Sequence, residues 1–141
     1  MNAKQQFLEI CKLLGAKLQQ DVSELIEVNG RLFSNMKEKN VYEGKCIGMK
    51  GRMFRPSILT LEQISEKTAQ KVWLNAKGEF LFTCGRDAWK ENITRKTARE
   101  QQLVIVLNQH EEPIGIGWYR NGKVENEYDI GDYLRRERRN R

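Results

Sequence analysis

Histidine, proline and cysteine are scarce in this chain, which has one histidine, two prolines and three cysteines among 141 residues. Zinc sites are built from Cys and His ligands at short spacings, and no Cys-x-x-Cys pair occurs here. An odd number of widely spaced cysteines, Cys11, Cys46 and Cys84, also argues against a disulfide framework. We therefore expect no metal site and three reduced, mostly buried thiols.

The usual sets of catalytic residues are missing as well. The sequence has no Gly-x-Ser-x-Gly motif and no pair of carboxylates in an apolar context. The single histidine, His110, lies far in sequence from Cys84, and a Cys84–His110 pair is kept as an alternative. We expect a protein that is not an enzyme, with no catalytic residues and no cofactor.

Long apolar runs are absent too. No segment approaches the ~20 apolar residues of a membrane helix, and the N-terminus lacks the charged-then-apolar pattern of a signal peptide. Hydrophobic residues make up 39% of the chain and charged residues 31%, enough for a modest core under a charged surface. We expect a cytoplasmic protein, or a nucleolar one in a eukaryote, with no membrane partner.

Positive charge is concentrated at the C-terminal end. The formal net charge is +6, and residues 135–141 hold five arginines and one glutamate, which account for four of those charges. Arginine is planar, permanently charged and able to donate two parallel hydrogen bonds to a phosphate. A concentrated arginine end on a small protein points first to nucleic acid.

The residues before these arginines predict a short helix. Asp129 is a good N-cap and Asp132 suits the first turn. Ile130, Tyr133 and Leu134 follow the i, i+3, i+4 spacing of one helical face, which we expect to dock on the body. A frayed, solvated tail is the alternative. The helix would present four arginines in its last turn: Arg135, Arg136, Arg138 and Arg139.

The first half of the chain predicts a mixed module. We expect a helix over residues 4–18, strands over 22–28, 31–36, 45–49 and 52–60, and a short helix over 61–68. Val22, Glu24, Ile26 and Val28 share one side of their strand. Asn29-Gly30 predicts a hairpin because both residues tolerate positive φ. Thr60 would cap the second helix, with Leu61, Ile64 and Ser65 facing inward.

The second half reads as almost all β. Strands are predicted over 71–74, 79–83, 103–107, 113–119 and 123–128, with turns at 75–78 and at Asn121-Gly122. Such closely spaced strands favour a small, partly closed β-barrel. The fold class is therefore α+β, with an α/β module over residues 1–70 and a barrel module over residues 71–141. No flexible linker separates them, so we expect them to pack rigidly together.

Two glycine-containing segments are candidate binding elements. Gly115 and Gly117 point to the same face of a strand, which would hold a bulky neighbour or a ligand. Gly85 would permit an unusual backbone angle that exposes amide groups. If residues 84–90 are helical, Arg86 and Lys90 flank a basic groove, and Trp89 is either core or a base-stacking surface.

Further positive charge is spread over two other segments. Arg95, Lys96 and Arg99 lie in a predicted polar loop, where they either touch phosphate or are simply solvated. A second group reads as a solvated face of the first module: Lys45, Lys50, Arg52 and Arg55.

Several motifs together resemble the Nip-seven ribosome-biogenesis family, and in particular its compact archaeal members. They include Gly44-Lys-Cys-Ile-Gly, Lys71-Val-Trp and Phe80-Leu-Phe, followed by Pro113-Ile-Gly-Ile-Gly and Asp129-Ile-Gly-Asp-Tyr-Leu-Arg-Arg-Glu. The resemblance covers residues 44–139 well and the start of the chain loosely. The C-terminal motif in combination with Lys-Val-Trp is its specific part.

The resemblance implies a non-catalytic factor in large-subunit assembly and pre-rRNA processing. Residues 71–141 would be a PUA domain, an RNA-binding β-barrel that prefers U-rich or AU-rich single strands. The basic residues after Asp-Ile-Gly carry the binding in archaeal relatives, and by position they correspond here to Arg135, Arg136, Arg138 and Arg139. RNA is the expected partner of a monomeric protein, and ribosome-assembly or exosome-related proteins are candidate protein partners.

The chain departs from the family pattern in its first module, which is trimmed before Gly44, and at residues 123–128, which are more polar and suit an exposed edge. Two other functions stay open. One is a protein-interaction adaptor whose basic end binds an acidic partner. The other is an accessory RNA-recognition module of an RNA-modification complex.

Overall fold

The computed structural model describes residues 1–18, 22–34 and 45–139, with side chains up to Arg136 in the last helix. A four-stranded sheet precedes a five-stranded one, and none of the described helices is long and apolar enough to span a membrane. The elements are α1 (Ala3–Leu13), β1 (Leu25–Val28), β2 (Arg31–Ser34), β3 (Cys46–Met49), β4 (Arg55–Pro56), α2 (Ile58–Lys67), β5 (Lys71–Leu74), α3 (Ala76–Thr83), β6 (Ile93–Lys96), β7 (Gln102–Leu107), β8 (Pro113–Arg120), β9 (Lys123–Asp129) and α4 (Ile130–Arg139).

Helix α1 is shorter than predicted. It begins with a capping box in which Asn2 and Gln5 each accept a hydrogen bond from the other's backbone N–H. It ends at Leu13, because Gly15 adopts a left-handed conformation with φ +64°. The prediction that the helix reaches residue 18 is therefore wrong. Leu18 lies beyond the end of the helix and packs, partly buried, against the core.

The first hairpin is confirmed. The side of β1 that faces the core, however, is the one that carries Leu25. Asn29 and Gly30 have φ of 51° and 77°, and Val28 pairs with Arg31 across the turn. Ile26 and Val28 do share one side, but they are 45% and 50% exposed.

The predicted strand over residues 52–60 is mostly wrong. Only Arg55–Pro56 pairs with β3. The Ser57 side chain accepts a hydrogen bond from the Thr60 N–H, so Ser57 rather than Thr60 caps α2, which begins three residues early at Ile58. The predicted inward face of α2 is confirmed: Leu61, Ile64 and Ser65 are buried.

The second sheet has the order β6-β5-β7-β8-β9, in which β5 and β7 are parallel and the other pairs antiparallel. The predicted central strand is confirmed as β7. The second hairpin is confirmed too, with φ of 54° and 75° at Asn121 and Gly122. Strand β9 ends the sheet, and Ala88 pairs with Val124 on its outer side.

Residues 79–83 form a helix, not the predicted strand. Phe80, Leu81 and Phe82 have a strand-like composition, but the Asn75 side chain accepts a hydrogen bond from the Gly78 N–H at 2.8 Å and starts α3. Phe82 is fully buried against the sheet.

The two faces of the second sheet bury different partners. Along β7, Leu103, Ile105 and Leu107 join one continuous core with the first module, whereas Val104 and Val106 join the core beneath α3. The Tyr128 hydroxyl also donates a hydrogen bond to the Pro56 carbonyl across the two halves.

Candidate nucleic-acid interface

The C-terminal helix is docked and capped, and it continues to Arg139 rather than fraying. The Asp132 N–H donates to Asp129 Oδ1 at 2.8 Å, which confirms Asp129 as the cap. Tyr133 is buried and Ile130 half-buried, but Leu134 is 47% exposed, so only two of the three predicted residues dock.

The arginines that follow are held close to acidic partners at the base of α4. Arg135 and Arg136 are exposed, and Arg136 Nε lies 3.0 Å from Asp132 Oδ2. Asp132 also pairs with Arg55, so one carboxylate joins the first module to the arginine-bearing face. The side chains of the other two predicted arginines, Arg138 and Arg139, lie outside the described part of the chain.

The cap itself is an unusual carboxylate. Asp129 is 2% exposed, and this burial raises its pKa above the usual range. Hydrogen bonds from the Asp132 N–H and the Asn126 amide, together with the Arg135 charge, act in the opposite direction.

The loop after α3 differs from the prediction in its hydrogen bonds. Gly85 does have an unusual φ of 92°, but its N–H donates to Phe82 O and the Arg86 N–H donates to Leu81 O. Both amides close the end of α3, so the expectation that they are exposed is wrong. No helix spans Arg86 and Lys90: the chain pairs at Ala88 and forms a 3₁₀ turn over Lys90–Asn92.

Trp89 is exposed rather than core. Its side chain is 53% exposed, and the Lys123 ammonium lies 4.6 Å from the ring centroid. Lys123 also lies 3.8 Å from the Asp87 carboxylate. The interpretation of Trp89 as a surface aromatic is therefore the correct one.

Two residues of the second basic cluster, Arg95 and Lys96, lie on the edge strand β6 and not in a loop, whereas Arg99 lies in the loop that follows, as predicted. Arg95 pairs with Trp73, and its guanidinium lies 4.4 Å from that ring's centroid. Lys96 is directed to the opposite face, where its ammonium lies 5.4 Å from the centroid of Tyr119.

A groove of about 580 Å³ opens between β6 and the β8–β9 hairpin. None of the described residues that line it is acidic. They are Lys90, Ile93, Thr94, Arg95, Lys96, Tyr119, Asn121 and Gly122. Sequence reasoning found Lys90, and separately Arg95 and Lys96, but missed the groove, since its walls lie about 30 residues apart in the chain and no local pattern joins them.

The predicted residues are thus distributed along β9 and not gathered at one point. Helix α4 follows the last residue of β9, and the groove lies beside the first residue of β9. Asn126, in the middle of β9, donates a hydrogen bond to the Arg86 carbonyl. At ~3.3 Å per residue, the seven residues of β9 separate the two ends by roughly 20 Å.

Gly115 and Gly117 are packing residues. A Cβ on Gly115 would lie 2.7 Å from Phe82 Cε1, and one on Gly117 would lie 2.5 Å from the Glu125 carbonyl. The face that the two glycines share is filled by protein, so the packing interpretation is confirmed and a ligand has no room there.

Two basic residues of the first module make ion pairs across to the second half, which corrects the solvated-face interpretation for Arg55, whereas the Arg52 side chain stays 78% exposed. Arg52 pairs with Glu127, and Arg55, whose side chain is 15% exposed, pairs with Asp132. Lys45 and Lys50 are exposed, as expected.

The cysteines are less buried than expected. Cys84 is exposed, while Cys11 and Cys46 are half-buried, and burial raises the pKa of the Cys11 thiol to about 12. His110 lies in the β7–β8 turn, where its N–H donates to the Asn108 side chain. Within the described ranges, no three His, Cys, Asp or Glu side chains cluster as a metal site.

Two sequence comparisons relate this chain to the same family. Residues 70–138 match the model of the UPF0113 PUA domain. A UPF0113 protein of Archaeoglobus fulgidus is 33% identical over 110 residues, which are 69% of this chain and 63% of that relative. The chain thus spans somewhat less than two thirds of the curated relative that it matches.

Three solved archaeal structures share the fold. A conserved PUA domain protein from Thermoplasma acidophilum matches with a TM-score of 0.61 at 14% identity, over 97% of this chain and 96% of that one. A hypothetical protein from Pyrococcus horikoshii gives 0.57 at 14% identity, over 92% and 95%. A PUA domain from Aeropyrum pernix, solved with tartrate, gives 0.59 at 10% identity, over 93% and 85%. Residues 70–138 are therefore similar to the UPF0113 PUA domain, and the chain shares the fold of solved archaeal PUA proteins.

Proposed function

We propose that this protein is a non-catalytic RNA-binding factor in large ribosomal subunit biogenesis and pre-rRNA processing. A PUA domain generally binds RNA, and the match over residues 70–138 supports an RNA-binding role. The ribosome-assembly role rests on the motif resemblance described above. On this proposal the protein acts in the cytoplasm as a monomer, with ribosome-assembly or exosome-related proteins as partners.

The observation that carries the proposal is the arginine-bearing end of α4. The helix is held by buried Tyr133 and capped by Asp129, so Arg135 and Arg136 are presented from an ordered element. Rigid presentation lowers the entropy that binding must overcome. We assign this end, together with Arg86 and Lys90, to the phosphates of a U-rich or AU-rich single strand.

We also propose that the chain divides functionally at residue 70. The PUA domain over residues 71–141 would bind the RNA, and the module over residues 1–70 would support it and meet protein partners. The start of the family match at residue 70 and the Arg55–Asp132 pair are consistent with that division of roles.

Fluorescence anisotropy with a labelled U-rich single strand across a salt series tests the proposal. Wild type should bind with an affinity that falls steeply with salt, because bound arginines release counterions from the phosphates. Arg135→Ala/Arg136→Ala should bind more weakly, with a salt slope smaller by about 1.4, or 0.7 per lost single-strand phosphate contact.

The matched control is Lys12→Ala/Lys67→Ala, which removes two exposed positive charges from α1 and α2. It should leave the slope unchanged. Failure of wild type to bind RNA would contradict the proposal and favour the adaptor function, in which a pull-down retains a protein partner instead. Equal losses in both double variants would mean that net charge, not the α4 surface, determines binding.

A further inference from the structure

The groove between β6 and the β8–β9 hairpin is formed by closure of the second sheet. Strand β6 lies at one edge and β9 at the other. The chain pairs with β9 at Ala88, turns through Lys90–Asn92 and enters β6, so this crossing segment connects the two edges. The groove therefore lies where the two edges of the second sheet approach each other, between β6 and the β8–β9 hairpin.

The lining of the groove suits an anion with an apolar part. Lys90 and Lys96 are exposed at its rim, and Ile93 and Tyr119 contribute apolar surface. The guanidinium of Arg95 is directed to the other face, so the two lysines supply its charge. The volume of about 580 Å³ falls within the range of pockets that hold small ligands.

The nearest carboxylates have other partners or lie outside the lining. The Glu100 carboxylate accepts a hydrogen bond from the Asn121 N–H at 2.9 Å, and Asp87 lies beside Lys123. Glu91 is exposed on the 3₁₀ turn and does not line the groove. On the groove lining, Lys90 and Lys96 supply two positive charges, against one negative charge from Glu100 beside Asn121.

An exposed aromatic adjoins this positive mouth. Trp89 immediately precedes Lys90, and its ring lies beneath the ammonium of Lys123, the residue that follows the hairpin turn. About half of its surface is open to solvent. Aromatic faces beside cations are how proteins hold single-stranded RNA, with bases stacked on the ring and phosphates on the charges.

We propose that this groove is a second RNA subsite, which binds one nucleotide with its phosphate at Lys90 and Lys96 and its base on Trp89. The inference rests on the proposed RNA-binding function and deepens it. A single strand would run along β9, from the arginines of α4 past Arg86 to the groove.

Two sets of variants test the subsite by anisotropy on the same U-rich RNA. Lys90→Ala/Lys96→Ala should reduce the salt slope by about 0.7, the value for the one single-strand phosphate that the two lysines share. Trp89→Ala should weaken binding by about fivefold or more, and Trp89→Phe by less because a stacking face remains. Lys12→Ala/Lys67→Ala is again the charge-matched control.

A residue-specific readout accompanies the affinities. In ¹H–¹⁵N spectra the indole N–H signal of Trp89, assigned by its loss in Trp89→Phe, should shift on RNA addition, whereas that of buried Trp73 should not. Inorganic phosphate and uridine monophosphate serve as free-anion probes. A Trp89 shift at lower concentrations of either than of RNA would overturn the assignment to an RNA strand.

The outcomes separate this inference from the proposed function. If wild type binds RNA and loses binding only in Arg135→Ala/Arg136→Ala, with the Trp89 signal unmoved, the subsite is wrong and the function stands. If wild type does not bind, both fail. If Arg135→Ala/Arg136→Ala and Lys90→Ala/Lys96→Ala each weaken RNA binding and the Trp89 signal shifts, the subsite and the proposed function are both supported.

Discussion

At the scale of single residues, the most consequential side chain is a buried carboxylate next to the arginines. Asp129 ends β9, caps α4 and accepts hydrogen bonds from Asn126 and the Asp132 N–H. Its burial raises its pKa, which means that the folded protein holds this proton more tightly than the unfolded chain does. The stability that this proton contributes is present below the unfolded pKa of about 3.9 and is lost as pH rises through the folded value.

The variant Asp129→Asn isolates this effect, because asparagine caps helices about as well as aspartate. At acidic pH both side chains are neutral and the two proteins should have similar free energies of unfolding. Towards neutral pH the variant should become the relatively more stable protein, since wild type then carries a desolvated charge. Urea unfolding of both proteins at pH 4 and pH 7 checks the sign. If the free energy of unfolding of wild type rises relative to that of the variant as pH rises, the prediction is wrong.

At the scale of elements, α4 shows how one helix face is selected. Tyr133 is 5% exposed and meets the ring of Tyr128 edge-on at 6.3 Å, whereas Leu134, its neighbour in the predicted triad, is 47% exposed. Spacing alone treated Ile130, Tyr133 and Leu134 as equivalent. The face that docks depends on the position and direction in which the chain leaves β9 and enters α4. The spacing of apolar residues carries no information about that direction.

These two residues form a matched pair for mutation. Tyr133→Ala should lower the free energy of unfolding by about 3 kcal/mol, as for other buried aromatic residues, and should weaken RNA binding because α4 loses its anchor. Leu134→Ala should change the free energy of unfolding by less than about 0.5 kcal/mol. Chemical denaturation followed by circular dichroism measures both. Equal effects of the two substitutions would mean that α4 is not docked as described.

The elements that were predicted correctly from the sequence are those that local chemistry determines. Asn29-Gly30 and Asn121-Gly122 specify their turns by themselves, and both hairpins were predicted correctly. The α3 segment was wrong because Phe80-Leu-Phe favours a strand, while the cap at Asn75 is a weaker local signal that tertiary packing reinforced.

The same distinction holds for the candidate site. The arginines of α4 are contiguous in the chain and were found from charge alone. Lys96 and Tyr119 meet only because the second sheet curls on itself, so no spacing in the sequence could bring them together.

At the scale of the whole molecule, the two sheets share one core. Leu32 of the first sheet belongs to the same buried cluster as Leu103 and Ile105 of β7. The pairs Arg52–Glu127 and Arg55–Asp132 and the Tyr128–Pro56 hydrogen bond cross the same boundary. A functional division at residue 70 therefore does not imply two independent folding units, and a shared core favours cooperative unfolding.

The tryptophans allow that cooperativity to be measured, because Trp73, Trp89 and Trp118 all lie in the second half of the chain. Leu32→Ala, at a fully buried position of the first sheet, should lower the free energy of unfolding by about 2–5 kcal/mol. If the core is shared, the tryptophan-fluorescence midpoint should fall in step with the midpoint from far-ultraviolet circular dichroism, although no tryptophan lies in the first module. A fluorescence midpoint that stays at the wild-type value while the circular-dichroism signal splits into two transitions would show that the halves unfold separately. In that case the ion pairs of Asp132 with Arg55 and Arg136 would not couple the folding of the first module to the position of the α4 arginines.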